Sequence, residues 1–394
     1  KNYEISRDGG NEKTKFFASL GALDEKGKAK NSWIKQYTGR LNLTHESGNI
    51  KMGANISIAQ VKKNRVAEGT AYANPYFATR NFLNPTIPIY NEDGSFYTGN
   101  RLGARGNLVQ ALDTDKYLLD VFSARASIWA QYRIYDNLQF RQTVSYDYNN
   151  TRATTVWSKE GGNGRNMGGM TIKLTPESRK LYSSSILSYD KSIGLHNFDI
   201  TAGWDVEKRV EDYISTSGSG FTTDQIYQLA GAAKPLSANS VKDNDRMLSF
   251  LSRANYNYDN KYYGSASLRR DGSSRFGANN RWGTFWSLSG AWRVSAENFM
   301  SSLTFFDDLK VRASYGVTGN LPALYYDSQD TYYVTANYLG SPGSYRARIA
   351  NPDLKWEKFQ SFDVGLDMRL FNRLSFEFDY YVRNSKDLIA TVPV

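Results

Sequence analysis

The chain has no cysteine, which excludes a disulfide framework, a thiolate metal site and a cysteine nucleophile. It has only two histidines, His45 and His196, both in or beside strand-like segments. A first-row metal site needs convergent N, O or S ligands, so both read as surface or strand-end residues. No stretch approaches the ~20 consecutive apolar residues of a helical membrane span, and the mean hydropathy is −0.57. The opening residues, KNYEISRDGG, hold neither an apolar signal core nor a cleavage site. Dense basic helices are missing too. The net charge is +10, but Lys and Arg alternate with apolar residues or sit in loops, which points away from nucleic acid and toward a charged lumen or loop surface.

What the chain has in quantity is aromatic residues, 14% of the total, with 28 Tyr, 20 Phe and 8 Trp. They fall into strict alternation in residues 351–387. There Phe362, Val364, Leu366, Met368 and Leu370 are interleaved with Ser361, Asp363, Gly365, Asp367 and Arg369. After a break at 371–373, Leu374, Phe376, Phe378, Tyr380 and Val382 are set against Ser375, Glu377, Asp379, Tyr381 and Arg383. A strand repeats its side-chain direction every second residue, so this is a hairpin with one apolar and one polar face. Such a hairpin suits a soluble sandwich or a membrane barrel, in which the apolar face meets lipid and the polar face lines a wet lumen. The length, 394 residues, accommodates two or three soluble domains or one large barrel.

The connections between strands favour the barrel. About fourteen strand-like runs are joined by short links near 8–13, 46–49, 135–137, 190–196, 259–261, 295–308 and 371–373, alternating with longer ones. Outer-membrane barrels have this asymmetry of short periplasmic turns and long extracellular loops. The longest link, 61–115, shows no sustained alternation and reads as an ordered loop, while 215–244 is again long and polar and 318–348 reads as a loop. The run 138–157, about twenty residues, exceeds the 9–11 a bilayer needs and is expected to project beyond it. Trp129 breaks an otherwise polar face. Tyr256, Tyr258, Tyr262, Tyr263, Tyr380 and Tyr381 are placed at strand ends, where an interfacial girdle would put them.

Five stretches then carry a family resemblance: GGNEKTKFFASLGALDEKGKAKNS at 9–32, YTGRLNL at 37–43, the RDGSSRFG-containing segment 268–300, LKVRASYGVTGN at 309–320, and the NPDLKWE-containing segment 351–389. In order and spacing they resemble the SusC/RagA family of TonB-linked outer-membrane transporters, over nearly the whole chain. The resemblance implies an all-β, transmembrane antiparallel barrel of the 22-stranded plugged class, a TonB-box segment, a SusD-like surface lipoprotein as partner, and energised import of oligosaccharides or peptides. No cofactor is implied. Residues 1–394 are expected to be part of the barrel domain, with plug and signal sequence supplied outside them, because fourteen strands alone leave unpaired edges that are costly in lipid.

A transporter needs no catalytic residues. Substrate binding would use loop aromatics: Tyr76, Phe77, Phe82 and Tyr90 in the longest loop, Trp157 at a strand tip, and Tyr325, Tyr326, Tyr332 and Tyr333. Packing within their own loop or girdle is the plainer role for each. Arg125, Arg133, Asp363, Asp367, Arg369, Glu377 and Asp379 face inward and would meet a plug or line a solvated lumen. RDGSSRFG and NPDLKWE read as structural, with Asp271 and Gly272 in a turn. The loop at Asp271 lacks the terminal acidic ligand of a calcium loop, and the Gly-rich stretch 162–169 has no following helix to present a phosphate. The competing functions are a barrel adhesin or surface antigen without transport, and a hydrolase that would need His45 or His196 beside a nucleophile.

Overall fold

The computed structural model describes residues 1–67, 74–99, 107–161 and 163–390. It begins with β1 (Asn2–Gly10), β2 (Thr14–Lys26), β3 (Trp33–Ser47) and β4 (Ile50–Asn64). Two short helices, α1 (Pro75–Phe82) and α2 (Leu108–Thr114), precede β5 (Lys116–Tyr135), β6 (Leu138–Trp157), β7 (Met170–Ile193) and β8 (His196–Ser219). Then come β9 (Lys234–Tyr258), β10 (Tyr262–Ser273), β11 (Trp282–Arg293) and β12 (Phe306–Asn320). A separate hairpin, β13 (Thr331–Tyr338) and β14 (Ser341–Arg348), is followed by β15 (Glu357–Leu370) and β16 (Leu374–Lys386).

Fourteen strands form one sheet in which each pairs antiparallel with its neighbour in sequence, β12 passing to β15 across the hairpin. The count agrees with the alternation. The sheet is open, with β1 and β16 as its edges among the described residues. The tight turns of this sheet lie at one end. At Asp259 and Asn260, in the three-residue turn 259–261, φ is 52° and 51°, left-handed values that Asp and Asn tolerate.

Register carries the apolar side chains across the wall in rows. Phe362 faces Tyr315 and Val382, Leu366 faces Val311 and Phe378, and Leu268 faces Trp286. These side chains remain exposed, Phe378 at 66% and Leu268 at 51%, and among the described residues no second layer of protein covers them. A sandwich would bury this face. The buried apolar cluster of Phe276, Phe285 and Trp356 instead sits at the long-loop end, holding RDGSSRFG against NPDLKWE, with Phe276 and Trp356 ring centroids 4.5 Å apart.

An aromatic band marks the short-turn edge of the apolar face. His196 and Tyr258 lie 4.8 Å apart, Tyr258 and Tyr262 6.3 Å, Tyr262 and Trp292 6.5 Å. Glu297 accepts hydrogen bonds from Tyr262 Oη at 2.5 Å and Trp292 Nε1 at 3.0 Å. On β11 the outward aromatics run from Trp292 through Trp286 to Trp282 at the strand's other end. The ten positions between Trp282 and Trp292 span roughly 33 Å along a strand, or about 25 Å of height at a tilt near 40°, the thickness of an outer-membrane apolar band.

Several expectations need correction. The 61–115 segment contains α1 and α2 rather than loop alone, 318–348 contains the β13–β14 hairpin, and most of 215–244 is strand, because β8 and β9 run on to Ser219 and back from Lys234. Beyond the bilayer both faces are wet, so pairing continues there without alternation. Asp271 and Gly272 lie within β10, and the turn comes after Ser273. Tyr380 and Tyr381 are in the middle of β16, not at its end. Trp129 does point inward, but as a built feature. A Cβ at Gly53 would lie 2.7 Å from its ring, so the indole rests on bare glycine, and Arg141 caps it at 4.1 Å.

Leu268, midway across the apolar band, is expected to tolerate no charge. In the full-length protein refolded into lipid vesicles, Leu268→Arg should lower unfolding stability by about 2–4 kcal/mol. Ser267→Arg, one residue along and facing the lumen, should cost much less. Equal losses would contradict the assignment of faces.

Candidate functional site: luminal wall and outer rim

The luminal face is polar because the same alternation that sets Leu366 outward sets Asp367 inward. Its most connected residue is Arg312 on β12. The guanidinium reaches Asp367 Oδ1 at 3.2 Å, Glu377 Oε1 at 3.1 Å and Asp379 Oδ1 at 2.7 Å, three carboxylates from two neighbouring strands. Gly365 stands opposite Arg312 in the register, and a Cβ there would sit 2.4 Å from the guanidinium carbon. Glycine leaves the arginine room to lie flat across the sheet. Arg312 escaped the sequence reading, although the alternation of 309–317 places it inward.

The other inward candidates are spread along the wall. Arg125 Nε donates to Asp147 Oδ1 at 2.5 Å, Arg133 approaches Glu46 at 3.8 Å, and Asp363 accepts from Ser361 Oγ at 3.0 Å. Arg369 borders an 810 Å³ depression with Asp307, Asp308 and Glu377. A second depression, of 420 Å³, lies between Asn257, Tyr263, Ser289, Arg312 and Asp363. Exposed pairs of this kind contribute little to stability; they present hydrogen-bonding groups to whatever fills the lumen.

At the long-loop rim the aromatic candidates divide. Tyr325 and Tyr326 are structural fasteners. The Arg275 guanidinium lies 4.1 Å over the Tyr325 ring while holding Asp245 Oδ2 through Nε at 2.9 Å and Nη2 at 2.7 Å. Tyr326 Oη accepts the Asn244 N–H at 3.0 Å. Burial, reinforced by Glu211, pushes the Tyr325 phenol up to about 12. Trp157 Nε1 donates to Tyr117 Oη at 3.1 Å. Tyr90 stacks on Phe96 with centroids 5.2 Å apart, and this turn is pinned to α2 by Asn107 Nδ2, which donates to the carbonyls of Ile89 at 2.7 Å and Tyr97 at 3.1 Å.

Tyr76 on α1 is half exposed, Phe77 is partly buried, and Phe82 ends that helix with its side chain outside the described part. Tyr332 and Tyr333 lie on β13, more than half exposed, and the Tyr333 ring pairs with Tyr345 of β14 at 5.2 Å. Of the nine aromatic candidates, Tyr333 is the one placed on an open strand face beside another ring, while Tyr332, its neighbour in the strand, points to the hairpin's other face beside Arg346.

The rim also holds a buried carboxylate. Asp115 Oδ1 accepts the Ser158 N–H at 2.9 Å, and Asp224 accepts from Ser158 Oγ at 2.5 Å and Lys159 N at 2.9 Å, tying the loops after β6 and β8 together. Burial raises the Asp115 carboxyl to about 6 against the hydrogen bonds from Ser158 and Asn163, and Asp224 raises it further. A raised folded-state value means the folded loop binds a proton that the opened loop has lost. Its stability is therefore greatest below pH 3.8 and falls as the pH rises to 6, by roughly 1.4 kcal/mol per unit. Amide-exchange protection of Ser158 should be higher at pH 4.5 than at pH 7.5. In Asp115→Asn the difference should vanish, and its persistence would remove Asp115 as the cause.

Comparison with known proteins fits this wall and rim. Residues 53–394 match the family model described as TonB dependent receptor-like, beta-barrel. TonB-dependent receptor P3 of Formosa agariphila is 30% identical over all of this chain and 40% of its own length. TonB-dependent receptor SusC of Bacteroides thetaiotaomicron is 27% identical, over all of this chain and 42% of its own length. The chain thus spans about two fifths of these relatives. Among solved structures, that of the RagAB peptide transporter superposes with a TM-score of 0.86 at 26% identity, covering all of this chain and 45% of the other. The ferric-catecholate receptor Fiu of E. coli K12 shares the fold, with a TM-score of 0.58 at 10% identity. With its alternating wall, its short turns on one side and long loops on the other, the chain belongs to the TonB-dependent receptor β-barrel family of the outer membrane, on its SusC and RagA side.

Proposed function

We propose that the protein containing this chain imports oligosaccharides or peptides across the outer membrane, drawing energy from TonB and receiving cargo from a SusD-like surface lipoprotein. The observation that carries this reading is an exposed hairpin with Tyr333 and Tyr345 paired on one face and Tyr332 on the other, together with a polar luminal wall. Aromatic faces hold sugar rings and apolar peptide side chains without demanding one sequence, and hydroxyl and carboxylate groups along the lumen offer successive weak contacts. The likeness to the RagAB peptide transporter supports the peptide alternative, and that to SusC supports the same class of importer.

Under this reading a plug and a TonB-contacting segment come from elsewhere in a longer protein, and the Arg312 cluster with Arg125, Arg133, Asp363 and Arg369 faces that plug. Tyr332 and Tyr333 are the substrate-contacting candidates that we retain first; Tyr76, Phe77, Phe82, Tyr90 and Trp157 are secondary, and Tyr325 and Tyr326 act through loop position. The family is one of receptors and transporters rather than enzymes. His45 is engaged with Thr14 Oγ1 at 2.8 Å and His196 with Tyr256 Oη at 2.8 Å, both at the short-turn end. An adhesin role has no particular observation in its favour.

Cells producing the full-length protein should accumulate a labelled oligosaccharide or oligopeptide only when TonB is present. Replacing Tyr332, Tyr333 and Tyr345 with alanine should cut uptake at limiting substrate by about tenfold, at roughly 1–3 kcal/mol for lost aromatic contacts. Uptake unchanged by loss of TonB would overturn the reading.

A further inference from the structure

One unbroken row of polar side chains crosses the luminal wall near its short-turn end. Asp199 of β8 stands opposite Asn255 of β9, which stands opposite Ser265 of β10, and the row goes on through Ser289, Ser314 and Asp363. All six point inward, since their chain neighbours, Ala254, Leu288 and Phe362 among them, belong to the outward rows. The row floors the depression of about 420 Å³. Residues 255, 265 and 289 each lie three positions from the interfacial rings of Tyr258, Tyr262 and Trp292, roughly 10 Å along a strand. The depression is therefore on the periplasmic side of the lumen.

Small side chains make the depression, and the groups at its ends make it a binding surface. Arg253 Nε donates to Asn255 Oδ1 at 3.0 Å and Asn255 Nδ2 donates to Asp199 Oδ1 at 3.0 Å, which fixes the amide and leaves Asp199 Oδ2 without a described partner. At the far end Ser361 Oγ donates to Asp363 Oδ2 at 3.0 Å, and Asp363 Oδ1 is left likewise. Between them the hydroxyls of Ser265, Ser289 and Ser314 have no hydrogen-bond partner among the described residues, whereas one row higher Ser267 and Ser287 bond to each other at 2.7 Å. Tyr263 closes the turn side, its Oη donating to the Asn260 carbonyl at 2.8 Å. A ligand lying along this row meets acceptors at both ends and groups that donate or accept between them. Vicinal sugar hydroxyls match that order. Peptide backbone finds no strand edge to pair with, because each strand from β8 to β12, and β15, is already paired on both sides.

We propose that the row from Asp199 to Asp363 is a sugar-binding station on the periplasmic side of the lumen, past which an oligosaccharide moves on its way out. The station rests on the importing role proposed above and narrows its cargo to oligosaccharide. A sugar pressed against the wall loses water, and the row replaces the hydrogen bonds that it gives up. Capture at the rim sets the affinity, and this station sets the rate of passage.

The test is uptake kinetics in cells producing the full-length protein with and without TonB, normalised to the amount of folded barrel. The probes are labelled neutral hexasaccharides of glucose, mannose and xylose, and a labelled mixture of hexapeptides. The S265A/S289A/S314A protein, which loses three hydroxyls and keeps the backbone ladder, should carry oligosaccharide with a maximal rate about tenfold lower and an unchanged KM. Ser289→Phe, which fills the depression, should lower that rate at least as much. Peptide uptake should be the same in wild type and variants. An unchanged maximal rate for oligosaccharide, or an equal fall for peptide, would overturn the station. So would a wild type that carries only the peptides, a result that leaves the importer reading in place. Oligosaccharide uptake that needs no TonB yet falls in the variants would keep the station and remove the energised mechanism.

Discussion

Inside hydrocarbon no water is available to a backbone N–H or C=O, and each group left unpaired costs several kcal/mol. The ladder running from β1 to β16 satisfies that demand with each strand's neighbours, and most of the rest of the structure follows from it. With each strand from β2 to β15 of this sheet paired on both sides, the pleat sends alternate side chains to opposite faces, and the composition of each face is free to match its solvent. Leu366 and Phe378 meet outward, while Asp367 and Glu377, next to them on the same strands, meet inward around Arg312. A moderate overall hydropathy is the natural result of averaging two such faces.

Height along the wall then sorts the chemistry. At the short-turn end the rings of Tyr258, Tyr262 and Trp292 form an interfacial band anchored on Glu297. Above the bilayer the strands β7, β8 and β9 continue as a projecting wall, on which the rim loops are fastened by Arg275 with Asp245 and by Asp115 with Ser158. Among the described residues, the β13–β14 hairpin stands apart from these fasteners as an exposed element with the paired rings of Tyr333 and Tyr345. Under the proposed import reading, this hairpin is the part of the described rim that would first meet ligands arriving from outside.

Legibility in the sequence tracked the bilayer. Where lipid meets one face, period two is enforced, and 362–382 could be read residue by residue, including the break at Phe371 and Asn372. Outside it the constraint lapses. The upper parts of β8 and β9 are polar on both faces and read as loop, and α1, α2 and the β13–β14 hairpin were missed within long connections. Pairings between distant residues carry no local signal: Arg275 with Asp245, or Asp115 with Ser158, depends on register set by the whole sheet. Arg312 is a different case, since its inward direction was implied by its strand and only its three partners were not.

The absence of cysteine from these 394 residues makes the central claim directly measurable once any cysteine elsewhere in the protein is replaced. Single cysteines placed at positions 361 to 368 of the full-length protein and spin-labelled in lipid vesicles report collision with oxygen, which concentrates in hydrocarbon, and with a water-soluble nickel chelate. Labels at 362, 364, 366 and 368 should collide with oxygen and those at 361, 363, 365 and 367 with nickel, alternating along the strand. Nickel access at every position, or no alternation at all, would mean that this face does not meet lipid.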